Sequence, residues 1–362
     1  MSLPETIQTL SETLSAGFMT QGAQRADPDL LQPAGPLLDL YGEDMRARAY
    51  VTHDAEAGEL MLRPDFTVPV ALAHLQSGQD AARYVYSGPV FRMPPQGSGR
   101  PREYAQVGVE IFHGPGAAAV DTELFVAFCE ALADARVTPV TGDLGILLAA
   151  IDSLEITPRR RRALRRHVWR PRRFKALFDR FAGRRPLPPG RAEVLVALEA
   201  GALKAPQAPE IGLRTWRDVE ARLEHLAQDA AAAPIPKAQV EVLDAVLSLR
   251  ESLPNAHEAL SDIAVDLPGM SRAVDRLGAR IEAFASAGLS PETLAFETNF
   301  GRTNMEYYDG FVFGFVSEDR PDLPPVATGG RYDALLEILS PGCGQAAIGG
   351  VIRPEVLAEV AR

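Results

Sequence analysis

Cysteine is scarce in this sequence: Cys129 and Cys343 are the only two in 362 residues, far apart and in no C-x-x-C arrangement. That scarcity excludes a disulfide framework and a cysteine-based metal site, and it suits a reducing, cytoplasmic compartment. A chain this long buries a sizeable core without such staples. Histidine is sparse too. His53, His74, His113, His167, His225 and His257 are scattered without ligand spacing, so no metal is expected. No apolar run approaches the ~20 residues that a membrane-spanning helix needs. The opening MSLPETIQTLSETLSAGF lacks a basic start and a continuous apolar stretch, and reads as an amphipathic helix rather than a signal peptide or anchor. Positive charge is in the minority: 37 Lys and Arg stand against 48 Asp and Glu. The net charge of −11 argues against a general nucleic-acid binder, because phosphate contacts need a positive face. There is no internal repeat.

What is present has two textures. The first part is mixed: two β-like runs, Arg83–Arg92 and Tyr104–Phe112, flank the turn-forming MPPQGSGRPR, and apolar spacing predicts a helix over Val120–Ala135. From about Pro158 to Gly269, Ala, Leu, Arg and Glu dominate and strand signals nearly vanish. Val274, Leu277, Ile281 and Phe284 then mark an amphipathic helix, and strand texture returns at Leu294–Thr298 and Tyr308–Val316. The reading is an α+β fold in which residues 1–155 and 271–362 form one sheet-based core and 156–270 a mostly helical insertion. That insertion opens on nine arginines between Arg159 and Arg173, with Lys175 beyond. Such a run is ordinarily a solvated helix face; its functional alternative is a docking surface for an acidic partner or RNA.

The segment YAQVGVEIF, Tyr104–Phe112, carries most of the chemistry. Strand alternation sends Ala105, Val107, Val109 and Ile111 to one face and Tyr104, Gln106, Gly108, Glu110 and Phe112 to the other. The first is a core face. The second sets an amide and a carboxylate around a glycine, which leaves room for a ligand to lie on the strand. Arg92, Arg100 and Arg102 near the turn suit a triphosphate or carboxylate ligand, although arginines are common at strand ends.

These residues bring the chain to a family. YSGPVFRMPPQGSGRPREYAQVGVEIFHG resembles motif 2 of class II aminoacyl-tRNA synthetases, and specifically of histidyl-tRNA synthetase. LRPDFTVPVALA resembles that enzyme's L-R-P-E-x-T segment, and NMEYYDGFVF its histidine loop. TGGRYDALLEIL resembles its G-G-R-Y-D-x-L, and AAIGGVIRPEVL falls where motif 3 belongs. The resemblance implies an antiparallel sheet flanked by helices and a histidine pocket. It assigns Asp65 to the ligand's α-ammonium and places Thr67, Arg92, Gln106, Glu110, Tyr307, Tyr308 and Tyr332 around it. An ammonium needs a carboxylate, an imidazole needs partners for both nitrogens, and aromatic walls exclude water.

Three departures bear on activity. Motif 2 normally reads F-R-x-E; here Pro94 replaces the acid. Motif 3 normally ends in an arginine on the ATP phosphates; here Val356 stands at that position, with Arg353 one helical turn earlier. Thr303 stands where the synthetase has a catalytic arginine, with Arg302 beside it. Phosphoryl chemistry depends on such charges, so adenylation is expected to be absent. With motif 3 falling so close to Arg362, no anticodon-binding domain is expected. This combination resembles the regulatory subunit of ATP phosphoribosyltransferase. The resemblance implies a non-catalytic protein that activates a short-form catalytic subunit and contributes to histidine feedback in histidine biosynthesis. It further implies a homodimer within a hetero-octamer, no cofactor and no tRNA. The main rival is a truncated histidyl-tRNA synthetase that rescues ATP binding through Arg353 and Arg302. An amino-acid-activating paralogue would need the same grip, and an RNA-binding adaptor would rest on the basic run alone.

Overall fold

The computed structural model describes residues 4–35, 47–94, 96–114, 116–205, 211, 214–302 and 307–360. Its main sheet is built around a long hairpin, β5 (Ala82–Phe91) and β6 (Glu103–His113), paired antiparallel with Tyr86 opposite Gly108 and Tyr84 opposite Glu110. Beside β6 lie β12 (Ala346–Ile352), β11 (Ala327–Arg331), β10 (Phe311–Val316) and β7 (Thr138–Asp143), all antiparallel to their neighbours. Short strands extend both edges. β1 (Gln24–Arg25) runs parallel to β5, while β9 (Ala295–Glu297) runs parallel to β7 and carries β8 (Arg250–Ser252) on its outer side. The order is therefore β1-β5-β6-β12-β11-β10-β7-β9-β8. A separate three-stranded sheet joins β2 (Leu31–Pro33), β4 (Gly58–Leu62) and β3 (Val51–Asp54).

The two faces of the main sheet differ chemically, as strand alternation requires. On one, Phe311, Phe313 and Phe315 pack with Phe125 and Phe128 of the Ala117–Ala131 helix and Phe284 of the Ser271–Ser286 helix. This apolar side is one continuous part of the hydrophobic core. Gln106, Gly108 and Glu110 look the other way. There the Thr67–Ser77 helix covers the sheet, with His74 stacked on Phe112 at 4.0 Å. The division of β6 into two faces follows the sequence pattern, but the second face is not an open floor: every residue from Ala105 to His113 is buried.

The helical stretch contains Pro158–Arg166, Pro171–Phe181, Pro189–Glu199, Trp216–Ala231 and Lys237–Ser248. Proline opens three of these helices at the first or second position, where no N–H is needed. The stretch then returns to the sheet through β8, a three-residue edge strand that the Ala- and Arg-rich sequence gave no reason to expect. The expected Val120–Ala135 helix begins earlier and ends at Ala131, where the backbone turns at Leu132. Among the described residues, no helix is long and apolar enough to cross a membrane.

Candidate functional site

Glu110 is the centre of the site. It is 1 % exposed, and its Oε1 accepts hydrogen bonds from Thr67 Oγ1 at 2.7 Å and from Tyr86 OH at 3.0 Å. Its Oε2 accepts from Tyr332 OH at 2.6 Å. Donors from three separate elements thus converge on one carboxylate. Burial pushes the Glu110 carboxyl up to about 7, against the pull of the three hydroxyls, and the nearby Asp65 charge adds to the rise. The phenols of Tyr86 and Tyr332 are pushed upward in turn, first by burial and then by Glu110, so both remain donors.

Glycine permits this packing. Gly349 pairs with Glu110 across β12, and a Cβ there would come within 1.6 Å of Oε2. At Gly108 a Cβ would meet the Tyr86 hydroxyl at 2.4 Å. The missing side chains let a carboxylate and a phenol lie flat against the sheet. Tyr86 stacks on Phe66 with ring centroids 4.3 Å apart, which fixes its position.

Asp65, just before the Thr67–Ser77 helix, is 4 % exposed, and Arg92 Nη2 lies 3.8 Å from its Oδ2. Arg92 also donates through Nε to the Pro64 carbonyl at 2.6 Å, which holds the guanidinium beside Asp65. Tyr308 is buried, and burial, Glu110 and Asp65 all push its phenol upward. Tyr307 packs edge-on against both Tyr308 and Tyr332, at 5.0 and 5.8 Å. Gln106 is 2 % exposed, and its side chain makes no hydrogen bond with a described residue. The arrangement offers two carboxylates, a buried amide and aromatic walls. Such a set suits a small ligand with an ammonium and a second nitrogenous group.

Of the residues expected from sequence, Asp65, Thr67, Glu110, Tyr308 and Tyr332 come together, with Arg92 and Tyr307 at the margin and Gln106 further along β6. Sequence reasoning missed Tyr86. Its signal was the hairpin register, which sets a large aromatic opposite Gly108. The expectation at Thr303 lies outside the described residues. Pro94 follows the end of β5, and Val356 is a half-buried residue packed against the core.

The two candidate substitute arginines are otherwise engaged. Arg353 donates from Nη1 to the Pro325 carbonyl at 2.7 Å and from Nη2 to Thr328 Oγ1 at 3.2 Å. Arg302 is 3 % exposed and points into the helical stretch. Its Nε donates to the Val168 carbonyl at 2.8 Å, and its guanidinium stacks over Phe174 at 4.8 Å. Burial lowers its pKa to about 10. Close by, Trp169 Nε1 donates to the Tyr308 carbonyl at 3.0 Å. Among the described residues, no group of three or more His, Cys, Asp or Glu is placed to hold a metal.

The Glu110 carboxyl predicts a pH signature. In the fold its proton leaves near pH 7, whereas in the unfolded chain it leaves near 4.5. Between those values the folded state keeps a proton that the unfolded state has released, so stability falls as pH rises and levels off above 7. Asp309, pushed up to about 7 by burial and by Asp333, acts in the same window. The test is therefore a difference. Thermal melts of Glu110→Gln against wild type should show a relative gain for the variant that grows from pH 5 to pH 8, on the order of 3 kcal/mol. A pH-independent difference would refute the assignment.

This sheet, with its glycine-lined carboxylate site, defines the class as class II aminoacyl-tRNA synthetase-like, of the histidyl kind. A family model described as Histidyl-tRNA synthetase matches residues 3–233 and 213–357. The structure resembles an ATP phosphoribosyltransferase regulatory subunit/histidyl-tRNA synthetase from Bacillus halodurans, with TM-score 0.69 and 21 % identity, covering 100 % of this chain and 81 % of that one. A histidyl-tRNA synthetase from Nostoc sp. PCC 7120 matches with TM-score 0.63 and 15 % identity, covering 99 % of this chain and 74 % of that one. Sequence relatives narrow the assignment. ATP phosphoribosyltransferase regulatory subunits from Brucella canis and Brucella ovis are each 32 % identical over 346 residues, covering 89 % of this chain and 90 % of theirs. The chain belongs to the histidyl-tRNA synthetase-like family of ATP phosphoribosyltransferase regulatory subunits.

Proposed function

We propose that this chain is a cytoplasmic, non-catalytic regulatory subunit. It activates the short-form ATP phosphoribosyltransferase catalytic subunit and contributes to histidine feedback at the first step of histidine biosynthesis. The observation that carries this reading is the separation of two features that a synthetase keeps together. A polar cluster around Glu110 and Asp65 stands where the synthetase pocket would be, while the arginines that could replace the phosphate grip, Arg353 and Arg302, are tied to the protein's own carbonyls. Adenylation depends on charges aimed at the transferring phosphoryl group, and each lost contact costs a few kcal/mol. The chain would form a homodimer within a hetero-octamer, without tRNA. Histidine inhibits such an assembly by binding one of its states more tightly, with a coupling of about 1–3 kcal/mol.

Reconstitution tests the proposal. The purified chain, mixed with the short catalytic subunit from the same source, should raise phosphoribosyl-ATP formation, and histidine should suppress it. A catalytic subunit indifferent to this chain would sink the reading. Histidine-dependent ATP–pyrophosphate exchange by the chain alone would replace it with the synthetase-like one.

A further inference from the structure

We propose that the helical stretch holds a second ligand site, a cationic pocket for a small organic phosphate of the nucleotide class. A cavity of about 500 Å³ lies between the Pro158–Arg166 and Pro171–Phe181 helices on one side and Pro189–Glu199 and Trp216–Ala231 on the other. That volume falls within the range of small-molecule pockets, about 300–1,000 Å³. Among the described residues its charged walls are Arg159, Arg160, Arg180, Arg191 and Arg222, with Asp229 as the one acid.

The acid is already committed. Asp229 Oδ1 accepts from Arg160 Nε at 2.8 Å, and the rest of the Arg160 guanidinium is bonded to the carbonyls of Asp229, Ala232 and Ala233. Arg159, Arg180, Arg191 and Arg222 make no ion pair with any described residue. Arg180 stacks over the Phe181 ring at 5.2 Å, and its buried Nε has no hydrogen-bond partner. The buried Nδ1 of His167, also on the cavity wall, has none either. Both atoms are sealed behind the cavity wall without partners, a costly state, beside four guanidiniums that no described carboxylate neutralises. Two other arginines of the same run are held away from the cavity: Arg165 pairs with Asp152, and Arg161 donates through Nη2 to the Leu154 carbonyl at 2.9 Å, with its own buried Nε unpartnered.

The helices around the cavity point the same way. Neither Pro189–Glu199 nor Trp216–Ala231 has a fully buried residue among those described. The second is secured locally, by a capping box between Thr215 and Asp218, so it forms without a core beneath it. Leu177, Phe181, Leu223 and Leu226 line the space with apolar surface. A bare inorganic anion would leave that surface unused, and an apolar ligand would leave the arginines unused. A flat organic group bearing phosphates uses both, because the guanidinium fork matches phosphate oxygens two at a time.

The site is independent of the regulatory reading, and its test needs no partner. Calorimetric titration of the full chain with ATP, AMP and inorganic pyrophosphate, in about 0.15 M salt, should show saturable binding, tightest for ATP. Arg180→Ser and Arg191→Ser should each weaken ATP about tenfold or more, the usual worth of a charge-assisted hydrogen bond. Arg222→Ser, on an exposed helix position, guards against misfolding and should also weaken it. Arg172→Ser, exposed and outside the cavity, should leave affinity unchanged. The proposal is overturned by a wild type that binds none of the three, or by ATP binding that survives Arg191→Ser and Arg222→Ser. It is equally overturned if heparin and poly-glutamate displace ATP as well as AMP does, which would mark a general cationic patch.

Discussion

Replacing Asp121 with alanine should remove about 3–5 kcal/mol of stability, the usual cost of breaking a buried ion pair by deleting one partner. Asp121 is fully buried on the Ala117–Ala131 helix. Its Oδ1 accepts from Arg331 Nε at 3.0 Å and Nη2 at 2.6 Å, and its Oδ2 accepts from Arg280 Nε at 2.9 Å. Arg280 also reaches Asp143 at 3.0 Å, and Asp143 caps the Leu144–Ser153 helix at the Gly145 N–H. Asp121 therefore joins two helices and strand β11, and Arg280 carries the network on to the cap of a third helix. Without it, two guanidiniums remain buried with reduced compensation. Native stabilities are typically about 5–15 kcal/mol, so the loss is a large share of the whole. Guanidinium unfolding midpoints would show it. Arg83→Ala is the control. It breaks the Arg83–Glu123 pair, in which both side chains are 43 % exposed, and should cost under about 1 kcal/mol. Equal losses in the two variants would contradict the network's role.

The second large effect concerns the ligand. On the proposed function, Glu110→Gln should weaken histidine's inhibition of the reconstituted enzyme by roughly 10–100-fold, the worth of a hydrogen bond to a charged group. The shape of the side chain and most of its packing survive this change, so assembly with the catalytic subunit, followed by gel filtration, should persist. A carboxylate held near neutrality is a responsive partner for a cationic ligand, because binding favours its ionised form. Histidine binding to wild type should therefore release less Glu110-bound proton above pH 7 than below it, visible as a buffer-dependent heat. Undiminished inhibition in the variant would remove Glu110 from the site.

The sheet was legible because β6 has strict alternation and its hairpin partner lies only a turn away. Strands expected at Arg83–Arg92 and Tyr104–Phe112 are found at Ala82–Phe91 and Glu103–His113. The glycines at 108 and 349 announced a close approach but not what approaches. Tyr86 could be reached only by counting the hairpin register. Contacts that span long stretches of sequence were not legible at all. Nothing local links Asp121 to Arg280, 159 residues on, or Trp169 to the Tyr308 carbonyl, 139 residues on. Arg302 shows the same limit. Its place beside the family's catalytic position suggested a substitute, yet the aromatic face of Phe174 and the Val168 carbonyl draw it away from the site.

That turn of Arg302, together with the Trp169–Tyr308 bond, fastens the start of the helical stretch to the strand of chain that bears the site tyrosines. The two anchors sit on consecutive residues, Val168 and Trp169, like a rivet through two plates. A load applied to the helices, whether from a bound molecule or a neighbouring subunit, has a direct route to the Tyr308 backbone. Excising the helical stretch as a cassette would for the same reason leave the Tyr308 carbonyl without its indole donor, so a minimal version of this protein has to carry its own replacement for that rivet.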